Sequence, residues 1–277
     1  MTTESMHPAV RRVLVALDAS DTSLAGLQVA VDLAVRLQAE LQGLFVEDIN
    51  LLRLASLPFA SEVVYAAPGA RRLDPAAMER ALHAQAERLR QRLEASARQA
   101  SVPWSFQVAR GQVAAELLTR THEADVLILG RGAGGARLGS VARVVSVQAS
   151  CTVLLHGGRR VERPVLAVYD GSPLAGRVLD LAVRLSRQDG HNLALLLTPG
   201  PGREAAALRE QAEAQLQAAG AEARFVTLTE GSARELVRSV HEQAGKLLVV
   251  SASAPALAES AAGNPLEQLD CPVLLVR

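Results

Sequence analysis

Short apolar runs alternate along the chain with longer stretches in which apolar positions recur every three or four residues. The runs include Val13-Leu14-Val15-Ala16-Leu17, Val126-Leu127-Ile128-Leu129, Val165-Leu166-Ala167-Val168-Tyr169 and Val273-Leu274-Leu275. Continuous runs of this kind suit strands covered on both faces, as in parallel sheets. They predict strands near 12–17, 41–46, 104–109, 125–130 and 152–156, and again near 164–169, 193–197, 223–228, 246–251 and 272–276. Helical periodicity falls near 21–38, 75–100, 113–123 and 140–149. Strand–helix alternation indicates βαβ units and a doubly wound α/β sheet, with right-handed crossovers placing helices on both faces. Ligands in such sheets bind beyond the carboxyl ends of the strands, at the switch point.

The pattern occurs twice. Leu24-Ala25-Gly26 returns as Leu174-Ala175-Gly176, and Leu33-Ala34-Val35-Arg36-Leu37 as Leu181-Ala182-Val183-Arg184-Leu185. His122-Glu123 returns as His241-Glu242, and Cys151-Thr152-Val153-Leu154-Leu155 as Cys271-Pro272-Val273-Leu274-Leu275. Matches in one order mark a tandem duplication, with halves at 1–158 and 159–277 joined through Gly157-Gly158-Arg159-Arg160. The first half is longer, mainly through an insert at 47–75. Pro58, Pro68, Gly69 and Pro75 mark it as a long loop with room for a short helix. The expected architecture is two tandem doubly wound five-stranded parallel sheets, packed as a pseudo-twofold pair through their last strands, whose edges invite pairing. Equivalent cysteines, Cys151 and Cys271, would then lie near the twofold axis, close together but reduced.

Composition narrows the function. The 277 residues carry 29 basic and 29 acidic side chains, for a formal net charge of zero. That balance argues against bulk electrostatic binding to nucleic acid or anionic membrane. Aromatic residues are 3 %, too few for a base-stacking platform. An apolar fraction of 49 % supplies a core. Two cysteines exclude a disulfide scaffold. There is no secretory signal and no apolar stretch long enough to cross a membrane, so the expected compartment is the cytoplasm.

The richest local chemistry is Gly130-Arg131-Gly132-Ala133-Gly134-Gly135-Ala136-Arg137-Leu138-Gly139-Ser140, between an apolar strand and a helical stretch. Glycines allow close backbone approach, and a helix N-terminus offers free N–H groups. Arg131, Arg137 and Arg143 lie in or beside the loop, and no acidic residue occurs from Arg131 to Val161. These features point to an anion, a phosphate above all; a glycine-rich turn without ligand is the alternative. Gly134-x4-Gly139-Ser140 lacks the lysine of a P-loop, which disfavours nucleotide hydrolysis. Gly130-x-Gly132-x-x-Gly135 matches the dinucleotide fingerprint by letter but stands late in the domain, without the following acid. The histidines have no metal-ligand spacing, and no catalytic triad or carboxylate pair is readable. After Val250 the second half has Ser251-Ala252-Ser253-Ala254-Pro255 in place of a glycine loop.

The chain resembles the universal stress proteins, in a tandem form, over nearly all of both halves except the insert. The resemblance rests on Val15-Ala16-Leu17-Asp18-x-Ser20, Phe45-Val46, Gly111, Asp125-Val126-Leu127-Ile128-Leu129-Gly130, Gly139-Ser140-Val141-Ala142 and Cys151-x-Val153-Leu154-Leu155. It implies an adenine nucleotide alpha hydrolase-like fold and a non-catalytic role in stress response or signalling. It also implies one ATP or related adenine nucleotide in the N-terminal half only. Ala16 and Asp18 would then face the adenosine, Val46 would meet the adenine, and Leu129 with Gly130 would lie under the nucleotide. Gly139, Ser140 and Val141 would bind phosphates, with Gly132, Gly134 and Arg137 completing the cradle. Ala133 stands where the family's pattern has a second glycine, and Gly139-Ser140 arrives about four residues early. A ligand-free interaction scaffold, with the insert as its surface for a protein partner, and a small-molecule enzyme using the glycine loop are the alternatives. Single-domain relatives imply dimers, which duplication makes intramolecular and which leaves room for a further homodimer.

Overall fold

A computed structural model of the chain describes residues 10–63, 70–132, 138–157, 164–187, 192–200, 204–258 and 263–277. In the first half these form β1 (Arg12–Leu17), α1 (Asp21–Leu37), β2 (Glu40–Asp48), α2 (Ile49–Ala55), β3 (Ser61–Val63), β4 (Ala70–Arg72) and α3 (Pro75–Gln99). They continue with β5 (Trp104–Gly111), α4 (Val113–Arg120), β6 (Val126–Gly130), α5 (Ser140–Gln148) and β7 (Thr152–His156). The second half has β8 (Val165–Tyr169), α6 (Ala175–Arg187), β9 (Leu193–Leu197), α7 (Ala205–Ala218), β10 (Arg224–Thr227), α8 (Ala233–Glu242), β11 (Leu247–Ser251), α9 (Pro265–Gln268) and β12 (Val273–Val276). A 3-10 turn, Pro255–Leu257, follows β11.

The five main strands of each half do not make a sheet of their own, and β3 and β4 stand apart as a two-stranded pair. The main strands make one ten-stranded sheet in the order β10-β9-β8-β11-β12-β7-β6-β1-β2-β5, which corrects the expectation of two separate five-stranded sheets. Each half is parallel within itself, with its first strand flanked by its second and fourth. The halves join where β12 meets β7 antiparallel, in the register Val273↔Leu155, Leu274↔Leu154, Leu275↔Val153. The physical reason lies in the edges. Each half would end on a fully buried apolar strand with unpaired N–H and C=O groups, and pairing the two satisfies both. The remaining edges, β5 and β10, carry partly exposed residues instead.

That register also corrects the placement of the cysteines. Cys271 precedes β12 and Cys151 precedes β7, so antiparallel pairing sends them to opposite ends of the seam. Extrapolating the register sets them six residues apart along the strand direction, roughly 20 Å at ~3.4 Å per residue. Both are free and buried, and burial raises each thiol to about 11.

Two apolar layers cover the sheet. On one face Val13, Val15 and Leu17 pack with α1 and α3, continuous with Val165, Ala167 and α6 of the second half. On the other Leu14, Leu127 and Leu129 pack with α4 and α5, continuous with Leu248, Val250 and α8. Both layers therefore cross the seam. The insert is more ordered than a loop: Asp48 caps α2 by accepting from the Asn50 amide at 2.9 Å, and β3 and β4 form an antiparallel pair. Among the described residues no helix is long and apolar enough to cross a membrane.

Candidate functional site

A cleft of about 400 Å³ opens at the carboxyl ends of β1, β2 and β6, between α1, α4 and α5. This is the switch point of the first half, where β1 lies between β2 and β6. Its walls are mainly apolar, with Ala16, Leu44, Val46, Val113, Leu117 and Leu129 on the strand and α4 sides. The polar part comes from Asp18, Ser20, Thr22 and Ser23 on one rim and from Gly132, Gly139 and Ser140 on the other. Of the residues expected from sequence, Ala16, Asp18, Val46, Leu129, Gly130, Gly132, Gly139, Ser140 and Val141 all line this one cleft. Gly134 and Arg137 lie outside the described residues.

Asp18 has a local job. One carboxylate oxygen accepts from the Ser20 amide at 2.8 Å and from the Ser20 hydroxyl at 2.5 Å. Ser20 in turn caps α1, accepting from the Ser23 amide at 3.1 Å, while the Ser23 hydroxyl accepts from the Asp18 amide at 2.7 Å. The turn between β1 and α1 is thereby locked. The second half reuses it: Asp170 accepts from the Ser172 amide at 2.9 Å.

On the opposite rim, α5 begins without a side-chain cap, unlike α1 and α3. Its N-cap Gly139 donates to the Arg131 carbonyl at 2.6 Å. The amides of the first turn, Ser140 to Ala142, have no carbonyl to meet within the helix and stand beside the cleft. Gly132 has φ of 124°, a conformation that other residues rarely adopt, so the loop needs glycine there.

The arginines depart from the sequence expectation. Arg131 is 2 % exposed, and its guanidinium leaves the cleft for the other half of the molecule. It donates to the carbonyls of Leu266 at 2.8 Å, Cys271 at 2.8 Å and Leu269. Burial lowers its pKa. Arg143 turns to Glu267 at 2.9 Å, and the same carboxylate oxygen accepts from the Leu138 amide at 3.3 Å. A stretch free of acidic residues in sequence thus receives an acid from the far half. Sequence offers no local signal for this contact.

Two other residues around the site escape sequence reading. His156, 1 % exposed, closes the seam end of β7 and packs its ring where a Cβ on Gly26 would stand, 2.4 Å from Nε2. Burial first, then the Arg131 charge, lowers its pKa to about 4. Glu47 follows Val46 on β2 and is buried between Arg110 at 2.8 Å and His83 at 3.1 Å. Arg110 also reaches Glu79 at 2.6 Å, which lowers the carboxyl pKa of Glu79. This network ties α3 and β5 to β2, the strand that carries Val46 in the cleft wall.

Among the described residues the second half shows no equivalent cradle: the Ser251 and Ser253 hydroxyls bond each other at 2.9 Å where the first half has Gly130 and Gly132. A separate space of about 610 Å³ lies at the seam, lined in part by Ser253, Asn264, Arg277 and the α5 residues Arg143 and Val147.

Residues 9–156 match the model of the Universal stress protein family. The chain belongs to that family. No curated protein matches its sequence significantly. Among solved structures, a universal stress protein from Archaeoglobus fulgidus DSM 4304 aligns over 96 % of both chains at a TM-score of 0.69 and 18 % identity. That alignment extends the universal stress protein fold over both halves. The universal stress protein UspA from Lactobacillus plantarum aligns over 54 % of this chain and 99 % of its own, at 24 % identity and a TM-score of 0.41. A family protein from Arabidopsis thaliana, described with AMP bound, covers 53 % of this chain and 90 % of its own, at 16 % identity and a TM-score of 0.36.

Proposed function

We propose that this universal stress protein binds one adenine nucleotide, in the cleft of the first half, and acts in stress response or signalling without turning the ligand over. The observation that carries this reading is the convergence of nine expected positions on one cleft at the switch point of β1, β2 and β6. Its apolar walls suit a purine, its Asp18 rim suits a ribose hydroxyl pair, and the α5 amides suit a phosphate. In this reading residues 1–158 hold the ligand and residues 159–277 serve as the structural partner. Catalysis is disfavoured by the missing P-loop lysine: the single lysine, Lys246, lies just before β11 in the other half, and among the described residues beside the loop Arg131 and Arg143 are engaged elsewhere. Calorimetric titration with AMP and ATP is expected to give one site per chain. Two equal sites, or steady phosphate release from ATP near the median enzyme rate of ~10 s⁻¹, contradicts the reading.

A second reading is favoured by one observation. Leu51, Leu54, Leu57 and Phe59, the last 79 % exposed, are solvent-exposed along α2 and the segment after it. A protein partner on the insert would cover this patch and leave the cleft untouched.

A further inference from the structure

We propose, resting on the nucleotide reading above, that Arg131 is a positioning residue of the cleft: its side chain is anchored in the second half, and its backbone sets where the α5 amides meet a phosphate. The residue faces two ways. Its main chain belongs to the cleft that it lines. There the Arg131 amide donates to the His156 carbonyl at 2.9 Å, and the Arg131 carbonyl accepts from the Gly139 amide at 2.6 Å. Gly139 is the N-cap of α5, and a Cβ on it would stand 3.6 Å from that carbonyl oxygen and 3.7 Å from the Gly132 Cα. The start of α5 thus rests on the backbone of residues 131 and 132. A shift of the Arg131 carbonyl carries the free amides of Ser140 to Ala142 with it. The side chain belongs to the other half. Its guanidinium donates to the carbonyls of Leu266 at 2.8 Å, Cys271 at 2.8 Å and Leu269. A planar fork bonded to three separate carbonyls keeps little freedom, so the clasp fixes the residue on which α5 rests.

The second copy separates the clasp from the turn. Ala252 takes the place of Arg131: its amide donates to the Val276 carbonyl at 2.9 Å, as that of Arg131 does to His156. A turn out of the strand is therefore built without a long side chain. In the second copy the guanidinium that caps the facing helix end comes from Arg277, a residue that is not among those lining the nucleotide cleft. The clasp starts from a cleft-lining residue in the half that has the cradle. This gives the second half a task beyond packing, since it holds the residue that places the phosphate donors. Adenosine uses the apolar walls and the Asp18 rim, whereas AMP also needs the α5 amides, so loosening the clasp acts on the phosphate and spares the nucleoside.

The test titrates the full chain, Arg131→Lys and Arg131→Met with adenosine and with AMP by calorimetry. Lysine keeps the charge without the fork that spans separate carbonyls, and methionine keeps the stem alone. Both variants are expected to bind AMP about tenfold more weakly than wild type, and adenosine within about twofold. A loss equal for both ligands, no loss, or wild-type AMP affinity in Arg131→Lys overturns the proposal and leaves the nucleotide reading standing. Hydrogen exchange on the wild-type chain decides the matter even where a variant does not fold. AMP is expected to slow amide exchange at residues 266–271 about threefold more than adenosine does at equal occupancy. Equal slowing by the two ligands there overturns the proposal as well. If neither ligand binds the wild-type chain, the nucleotide reading itself falls, and the positioning role with it.

Discussion

A buried histidine that stays neutral makes stability depend on pH. His156 has an ordinary value of 6.5 and a folded value of about 4, so between these pH values the unfolded chain binds the extra proton. Its contribution is therefore complete above pH 6.5 and is lost as pH falls toward 4, amounting to roughly 3 kcal/mol. Denaturant unfolding at pH 7 and at pH 4.5 is expected to show a steeper loss for the wild-type chain than for His156→Gln. Equal losses contradict the assignment. In sequence this residue is one histidine among six, without metal spacing. Its role becomes visible only where Gly26, from a distant helix, makes room for the ring. Asp18 stands in the cleft that its sequence position suggests, while its local bonds are those of a turn.

Among the described residues helix starts divide into those closed by a side chain and those left open, the latter α4, α5 and α7. Ser20, Asp74 and Ser232 cap α1, α3 and α8, while Gly139 gives α5 no side-chain cap. A Cβ on Gly139 meets nothing nearer than 3.6 Å, and its φ of −61° suits any residue. Gly139→Asp is therefore expected to fold with a melting temperature equal to or slightly above wild type, since an Asp cap in place of Gly contributes about a few tenths of a kcal/mol. It is expected to weaken AMP binding at least about tenfold, because the carboxylate occupies the first-turn amides. Calorimetry paired with thermal melting separates the two effects. An unchanged affinity places the phosphate elsewhere. At this scale the sequence is a good guide to strands, because buried parallel strands write continuous apolar runs. The insert is less legible: α2 depends on a single cap, Asp48, and β3 and β4 are too short for their period to register.

The whole molecule is held by a seam that no local pattern announces. Arg131 caps the end of α9 through Leu266, Leu269 and Cys271, and Arg277 caps the end of α5 through Val147 at 3.0 Å, Ala149 at 2.5 Å and Ser146. Leu266 and Leu269 stand 120 positions after Ser146 and Ala149, as Cys271 does after Cys151, so arginines from unequal positions fill equivalent places. Arg131 is the more deeply buried, and Arg131→Ala strands three carbonyls, for about 3 kcal/mol lost. Arg277→Ala, nearer solvent, is expected to cost about 1 kcal/mol, and chemical denaturation of the two variants should preserve that order. In sequence Arg131 counts only as one of three arginines in or beside a glycine loop that favours an anion, because its partners lie more than 130 residues away. The joining of the last strands was legible from their equivalent apolar runs, whereas the single continuous sheet required the antiparallel register itself. The central claim is that one half of a duplicated fold keeps a nucleotide cleft and the other has lost it. A crystal structure of the chain grown with AMP tests this most directly. The account predicts one AMP per chain, its base against Val46 and its phosphate at Ser140 and Val141, and no ligand at Ser251–Ser253. Density for AMP in both halves, or only at the second, would contradict it.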